Sequence, residues 1–286
     1  MKKIKELSGH SGCKIFLCID EHEKYFIRKE STDIKYNIRL QEQMLKQKKY
    51  SLLNNIPFSV PYVFQTGIDE NGYYFADMEF IEGSNFIDFL NTLEYDQIEK
   101  YAEKVYSIIF YFSKLKKEEH KITFKILKKL NSIFKTEILE IKIIKYFYFF
   151  LEKDYLLENI PKTECHGDLT LENVMVDKNG NLWLIDFLDS FYESYYFDIT
   201  KIYQDIEFYW YQIKNKEINI SKMKILYFKE KFDGYIKENL SGYLKLHNFL
   251  SGLNFLRILP YTKDKMMYKK IENIIKEIVN KGEKEL

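Results

Sequence analysis

The stretch Cys-His-Gly-Asp-Leu-Thr-Leu-Glu-Asn, at residues 165–173, runs directly into two short β-rich segments at residues 174–176 and 182–185. Asp-Lys-Asn-Gly separates these segments, and Asn-Gly is a strong signal for a tight hairpin turn. The second segment is followed at once by Asp186. The order is therefore His-x-Asp, an Asn after a short loop, and a strand that ends in Asp. The hairpin predicts that the Asn and the final Asp lie close together.

These side chains are of the types that phosphoryl transfer requires. The reaction depends on positioning and charge neutralisation more than on covalent chemistry by the protein. The carboxylate of Asp168 is placed to act as a base or orienter for an acceptor hydroxyl. The amide oxygen of Asn173 and the carboxylate of Asp186 are hard ligands that suit Mg²⁺. Each residue alone is common in turns, but their joint order beside two strands favours a catalytic loop.

The motif resembles that of kinase-like phosphotransferases, specifically the aminoglycoside phosphotransferase and choline kinase group. The resemblance covers almost the whole chain. It implies an α+β, bilobal protein-kinase-like fold, with an antiparallel sheet and one helix in a nucleotide-binding lobe at residues 1–82. A mostly helical lobe with the catalytic loop and acceptor site would follow at residues 83–286. The resemblance also implies that Asp168 is catalytic and that Asn173 and Asp186 bind Mg²⁺.

The hydrophobic pattern supports this order of elements. The N-terminal part predicts two hairpins and one helix, the second hairpin around Asn-Gly at residues 71–72. The predicted strands are residues 14–19, 24–29, 62–67 and 73–80, and the helix is residues 33–50. Helical periodicity dominates after Gly83, at residues 86–93, 95–116, 124–156 and from residue 198 onwards.

Two N-terminal segments are predicted to hold the phosphates of ATP. Gly9, Ser11 and Gly12 precede the first predicted strand, where glycines let backbone amides approach phosphate oxygens. Lys29 ends the second predicted strand. Its neighbour Arg28 is the competitor, and strand alternation places the two on opposite faces.

The resemblance favours Lys29 over Arg28, because in related strands the phosphate-binding Lys precedes a Ser by two places. Glu42 on the following helix is then the predicted partner of Lys29. The segment around Met78 would be a hinge, with Met78 lining the nucleotide pocket. The resemblance further implies that backbone groups of Glu79 and Ile81 read adenine.

The identity of the acceptor stays open, although two departures from protein kinases favour a small molecule. Gly167 stands where those enzymes usually carry Arg, and the short segment after Asp186 leaves no room for a peptide-docking activation segment. Three acceptor classes remain, and Asp189, Tyr192 and Arg257 are the candidate contacts. A choline-type amine would suit an aromatic cage, and a polyamine antibiotic would need clustered carboxylates, whereas a sugar would need neither. The cage candidates are Tyr192, Tyr195, Tyr196 and Trp210, and the carboxylates are Asp189, Glu193 and Glu207.

Composition excludes several other classes of function. Lys+Arg 44 against Asp+Glu 43 gives a net charge of +1, so nothing draws the whole chain to nucleic acid. No signal peptide or membrane-spanning segment is evident, and three sparse cysteines suggest reduced thiols, so a cytoplasmic protein is expected. The aromatic fraction of 17% is interpreted as a packing consequence of a coding bias that leaves Ala and Arg scarce. Oligomeric state is not readable.

The sequence therefore predicts a Mg-ATP-dependent phosphotransferase that phosphorylates a hydroxyl of a small molecule, such as an amino alcohol, a sugar or an aminoglycoside. Two alternatives remain. One is a pseudokinase-like nucleotide-binding module, and the other is a protein kinase.

Overall fold

A computed structural model describes residues 2–7, 12–118, 122–214 and 220–284. The chain forms two compact units. Unit 1 comprises Met1–Phe89 and Glu172–Asp189, and unit 2 comprises Leu90–Leu171 and Ser190–Leu286. The boundary expected after residue 82 stays a prediction. Unit 1 contains, besides the N-terminal sheet, residues 83–89 and the hairpin that follows the catalytic loop.

Unit 1 contains a five-stranded antiparallel sheet with the order β1-β2-β3-β5-β4. Its strands are β1 (Lys2–Leu7), β2 (Cys13–Ile19), β3 (Tyr25–Ser31), β4 (Val63–Ile68) and β5 (Tyr74–Glu79). The helix α1 (Ile34–Ser51) packs Leu40 and Met44 against this sheet, and the Asp33 side chain caps it by accepting from the amide of Lys35. The two predicted hairpins and the helix are confirmed. Strand β1 was not predicted, because nearly all of its side chains are exposed and it shows no alternation.

A second, three-stranded sheet in unit 1 contains β6 (Gly83–Asn85), β7 (Val174–Asp177) and β8 (Leu182–Leu184). The predicted hairpin between β7 and β8 is confirmed, and Asp177 organises its turn. The carboxylate of Asp177 accepts from the amides of Asn179 and Asn181 and from the indole of Trp183. Burial would raise the pKa of Asp177, but these hydrogen bonds hold it at about 2.

Helices make up most of unit 2. Their bounds are α2 (Phe86–Thr92, which begins in unit 1), α3 (Tyr95–Lys114), α4 (Ile122–Thr136), α5 (Ile141–Glu152), α6 (Asp154–Leu157), α7 (Tyr195–Ile206), α8 (Trp210–Lys214), α9 (Lys222–Asn239), α10 (His247–Leu256) and α11 (Lys265–Gly282). Short 3-10 turns lie at Leu171–Asn173, Ser241–Leu246 and Leu259–Tyr261.

The stretch with predicted helical periodicity, residues 124–156, is divided among three helices. The chain leaves α4 after Thr136 and begins α5 at Ile141, and α6 follows as a separate turn. Glu140 has extended backbone angles and serves as the N-cap of α5. Because neither Gly nor Pro marks the break, the helical periodicity of the sequence does not indicate it.

Aromatic side chains supply much of the buried core. Tyr211, Tyr243, Phe147 and Phe249 are among the largest fully buried side chains. The Phe150 and Phe249 rings, for example, lie 4.6 Å apart between centroids. The packing interpretation of the aromatic fraction is thus confirmed. Among the described helices, none combines the length and apolar character needed to cross a bilayer.

Candidate active site

The predicted catalytic loop is held by a carboxylate from helix α7 within unit 2. Asp198, which is fully buried, accepts from the backbone amides of His166 at 2.6 Å and Gly167 at 2.8 Å. Gly167 has φ of +94°, a conformation that a side chain would strain. The amide of Asp168 donates to the imidazole Nδ1 of His166 at 3.3 Å. The loop around Asp168 is therefore fixed from both sides, and His166 braces it.

The carboxylate of Asp168 meets one ammonium group directly. The Nζ of Lys201 lies 3.0 Å from the Oδ1 of Asp168, and both side chains are partly exposed. Burial would raise the pKa of Asp168, but the charge and hydrogen bond of Lys201 lower it, with smaller effects from His166 and Lys214. Asp168 is therefore an ionised carboxylate at neutral pH.

Three polar residues on one face of α7 act on this loop. Asp198 braces it, while Ser194 caps α7. Asp205 accepts from the amide of Leu171 at 2.7 Å, and Lys201 pairs with Asp168. The spacing i, i+3, i+7 places all three on the same side of the helix. That spacing is the sequence signal that could have found Lys201 and Asp205.

In unit 1, Lys29 forms an ion pair with Asp186. The side chain of Lys29 is almost completely buried. Burial would lower the pKa of the Lys29 ammonium, but the charge of Asp186 raises it above its ordinary value. Arg28, the competitor, faces away and makes two hydrogen bonds of 2.6 Å with Asp77. The charge of Arg28 is therefore neutralised by a carboxylate on the neighbouring strand of the sheet.

Asp186 and Asn173 come together through the β7–β8 hairpin. The amide of Ile185 donates to the carbonyl of Asn173 at 3.1 Å, so Asn173 lies opposite the residue that precedes Asp186. Asp186 has φ of +63°, the left-handed region that non-glycine residues rarely adopt. Such strain persists only where the surrounding structure imposes it, and it often marks functional positions.

The donor set of Asn173 and Asp186 fits Mg²⁺. Mg²⁺ prefers hard oxygen ligands and usually takes only one or two carboxylates from the protein, with substrate phosphates and water completing the shell. Within the described ranges, no group of three or more His, Cys, Asp or Glu residues gathers as a metal cluster. A carboxylate and an amide oxygen that share a metal with a nucleotide are therefore the arrangement these residues can offer.

Glu42, the predicted partner of Lys29, lies elsewhere. It is exposed on α1, and the described residues include no hydrogen bond or ion pair between Lys29 and Glu42. Glu42 instead lines a cavity of about 430 Å³. The other lining residues are Lys35, Ile38, Arg39, Gln43 and Asp189. The carboxylate that reaches Lys29 is that of Asp186.

Only one residue of the predicted glycine-containing, phosphate-binding segment belongs to the described part of the chain. Gly9 and Ser11 lie outside the described residues. Gly12 is described, and its carbonyl accepts from the backbone and side chain of Thr32. A Cβ at Gly12 would lie 2.8 Å from the Tyr36 ring, so the close approach favours glycine here.

The three residues of the predicted hinge, Met78, Glu79 and Ile81, differ in the contacts they make. Met78 is buried in the core beside α1, where its sulfur accepts from Gln47 at 3.5 Å. The amide of Glu79 donates to the carbonyl of Tyr62. Ile81 makes no hydrogen bond to any residue that the structure describes. The peptide groups of Ile81 can therefore meet a ligand.

The carboxylates proposed for a polyamine are paired within the protein. Glu193 lies 2.5 Å from Lys117, and Glu207 lies 2.9 Å from His247 and 3.3 Å from Lys281. Asp189 is the exposed member, at 3.9 Å from Lys46. The charges of Glu193 and Glu207 are therefore largely neutralised by their partners.

The aromatic residues proposed for an amine cage are core residues. All four are buried, and Tyr192 donates its hydroxyl to the carbonyl of Ile160 at 3.4 Å. Tyr195 packs edge-on against Tyr196 with centroids 4.9 Å apart. Arg257 differs from all the other acceptor candidates, because its guanidinium stacks over Phe191 at 4.6 Å without a carboxylate partner among the described residues.

The sheet with one helix, the helical second unit and the braced loop define the kinase-like class of phosphotransferases. The family model described as the phosphotransferase enzyme family matches residues 4–217, which is more than half of the chain. The chain belongs to this family. No curated protein matches the sequence.

Solved structures show the same fold at low identity. The GDP and kanamycin complex of APH(2")-IIia has a TM-score of 0.67 at 12% identity, covering 96% of this chain and 92% of that one. Aminoglycoside phosphotransferase APH(4)-Ia has a TM-score of 0.67 at 11% identity, with coverage of 97% and 93%. ADP-bound APH(2'')-Ib has a TM-score of 0.62 at 14% identity, with coverage of 98% and 93%. The predicted kinase-like fold class is therefore confirmed.

Proposed function

We propose that this protein is a Mg-ATP-dependent phosphotransferase whose acceptor is a hydroxyl of a small molecule. Membership of the phosphotransferase family supports the reaction class. Solved relatives of the same fold were obtained with ADP, AMP-PNP or GDP, and some with kanamycin or hygromycin B. Those ligands belong to the relatives, and their chemistry suggests a nucleotide donor and a small acceptor here.

The ion pair between the buried Lys29 and the partly exposed Asp186 is the observation that carries the proposal. A buried ion pair contributes little net stability, because desolvation of two charges offsets their attraction. Asp186 itself has strained left-handed backbone, so this ion pair favours a role in ligand binding. Lys29 would neutralise the charge of the ATP phosphates. The backbone amides of Gly9, Ser11 and Gly12 would hold the same phosphates. Met78, Glu79 and Ile81 would contact the base.

Asn173 and Asp186 would hold Mg²⁺, which, when bound, neutralises phosphate charge and orients the transferred group. Glu42, which lines the cavity beside α1, would contribute to the nucleotide site only through its place on this helix. Asp168 would orient the acceptor hydroxyl and accept its proton. The hydrogen bonds that fix its loop leave this carboxylate ready to act without rearrangement.

The test is Asp168→Asn, which keeps the size of the side chain and removes the proton acceptor. Turnover should fall by about 10²- to 10⁴-fold, because a positioned base contributes a factor of this size. Nucleotide binding, measured as thermal stabilisation by ATP and Mg²⁺, should persist. ADP release would be followed over a panel of amino alcohols, sugars and aminoglycosides.

Two further variants complete this experiment. Lys29→Met should abolish the stabilisation by ATP, and the exposed Asp96→Asn should behave as the unmodified protein. An Asp168→Asn variant that retains full turnover would contradict the mechanism. Stabilisation by ATP without turnover of any acceptor would favour the pseudokinase alternative instead.

A further inference from the structure

Arg257 has no ion-paired carboxylate in the described part of unit 2. It follows helix α10, and its guanidinium lies 4.6 Å from the centroid of the Phe191 ring. The Nε atom is buried and makes no hydrogen bond, and no ion pair joins this guanidinium to any described residue. A buried donor left unpaired costs free energy. Such a group in a folded protein calls for an explanation, and a functional role is one of those that apply.

Cationic groups surround Asp168, whose charge also acts on Arg257. Asp168 is close enough for its charge to raise the pKa of Arg257, although burial, the larger effect, lowers that pKa overall. The charge of Asp168 is already engaged at 3.0 Å by Lys201, and Lys214 and His166 act on it as well. One carboxylate therefore faces several cationic or hydrogen-bonding groups. The balance near Asp168 favours an incoming negative charge.

The acceptor candidates of unit 2 offer little to a cationic acceptor. Two of the three carboxylates that a polyamine would need, Glu193 and Glu207, are paired with Lys117 and with His247 and Lys281. The aromatic residues that could have formed a cage for a quaternary ammonium are buried in the core. Charge complementarity therefore separates the acceptor classes that the sequence alone could not separate.

We propose that the acceptor of this phosphotransferase carries an anionic group, a carboxylate or a phosphate, which binds Arg257. This inference rests on the proposed function and names the substrate class of the same site. The planar guanidinium presents parallel N–H donors that match a carboxylate or a phosphate in a bidentate pair. Stacking on Phe191 fixes the plane of the guanidinium, so these donors are oriented before the ligand arrives.

The experiment compares acceptors that share a carbon skeleton and differ in charge. One series is glycerol, glycerate, glycerol phosphate and aminopropanediol, and the other is glucose, gluconate, glucose phosphate and glucosamine. Binding is measured by thermal shift and calorimetry in the presence of the nonhydrolysable ATP analogue AMP-PNP. Anionic members should bind and the neutral and amine members should not, and the carboxylate and phosphate arms separate the two anionic chemistries.

Arg257→Gln should weaken binding of the anionic compounds by about 10- to 100-fold, because a hydrogen-bonded charge is lost. Arg257→Lys, which keeps the charge but loses the bidentate fork, should show an intermediate loss. The matched control is Lys263→Gln, an exposed cation six positions along the chain, which should bind as the unmodified protein does. If Arg257→Gln fails to fold, Arg257→Lys and the comparison of acceptors on the unmodified protein still decide the question.

Preferential binding of amines or neutral sugars, or undiminished anion binding by Arg257→Gln, would overturn this inference. Failure of the proposed function has a different signature. In that case the anionic compounds bind with the expected dependence on Arg257, but no phosphate is transferred from ATP to them.

Discussion

At the scale of single residues, Asp168 keeps its charge against burial because Lys201 lies 3.0 Å from it. The pKa of Asp168 is lowered from its ordinary value of 3.8. A carboxylate held in this state can accept a proton at any pH at which the protein is expected to work. The ammonium of Lys201 thus positions the proposed base, Asp168, and keeps its carboxylate ionised.

Replacing Lys201 by Met keeps the aliphatic stem and removes the ammonium. Burial, which raises the pKa of Asp168, is then no longer opposed by this neighbour. The acid limb of the kcat/KM profile should move to higher pH, because the base must be ionised. The measurement is the ratio of kcat/KM in Lys201→Met to that in the unmodified protein, from about pH 4 to pH 8, which cancels the titration of the substrates.

The exposed Lys128→Met on α4 serves as the control and should leave the ratio flat. A lower kcat/KM with an unshifted acid limb would contradict the charging role of Lys201. It would mean that Lys201 acts only on the shape of the loop.

The sequence could identify Asp168, Asn173 and Asp186 as candidates because they are close together in the chain and follow a recognisable order. The partner of Lys29 shows where such reasoning ends. Glu42 has suitable helical spacing, but Gln43 is buried, whereas Glu42 turns to the exposed side. Which carboxylate reaches a buried ammonium depends on tertiary packing, and Asp186 lies more than a hundred positions from Lys29.

At the scale of elements, α7 explains the geometry of the catalytic loop. Its first turn supplies Asp198, its middle supplies Lys201, and its last turn supplies Asp205. The carboxylate of Asp198 accepts two backbone amides, which are hydrogen bonds to a charged group. The helix therefore serves as a rigid frame for a loop that has no regular structure of its own.

Asp198→Asn should destabilise the protein by about 2–4 kcal/mol, because the amide NH₂ faces a backbone donor and the negative charge is lost. Turnover should fall together with stability, whereas stabilisation by ATP, which concerns residues of unit 1, should remain. Urea unfolding followed by circular dichroism measures the first effect. Asp96→Asn, at an exposed position of α3, is the matched control and should change neither quantity.

A stable Asp198→Asn variant with normal turnover would show that the loop does not depend on this carboxylate.

The break between α4 and α5 shows which boundaries of elements the sequence does not reveal. The hairpins of unit 1 were predictable because Asn-Gly and alternation mark them locally. The break at Glu140 follows from packing, and it contains no residue of a type that favours turns.

At the scale of the whole molecule, an aromatic core and a near-neutral charge leave recognition to local groups. The sequence could predict the fold class, because the order of strands, motif and helices is a property of the whole chain. It could not predict which charges are already paired, since Glu193, Glu207 and Arg28 find their partners only in the folded state. The choice among acceptor classes depends on that pairing.

Acid stability provides a global measurement of one such pairing. Glu207 lies 2.9 Å from His247 of α10 and 3.3 Å from Lys281 of α11, so it connects three helices of unit 2. Burial would raise the pKa of Glu207, but the hydrogen bond and charge of His247 and the nearby lysines lower it to about 2 from 4.5. A pKa lowered by folding contributes stability above about pH 4.5, and this contribution is lost as the pH falls towards 2.

Glu207→Gln should therefore be less stable than the unmodified protein by up to about 3 kcal/mol above pH 5. The difference should shrink steadily below about pH 4.5 and largely vanish near pH 2. Urea unfolding followed by far-UV circular dichroism, which reports the helices of unit 2, would measure it at each pH. Glu118→Gln, at an exposed position in the same unit, should show no such dependence. A difference that stays constant with pH would mean that Glu207 stabilises the helices through its shape and packing, and that its charge contributes nothing.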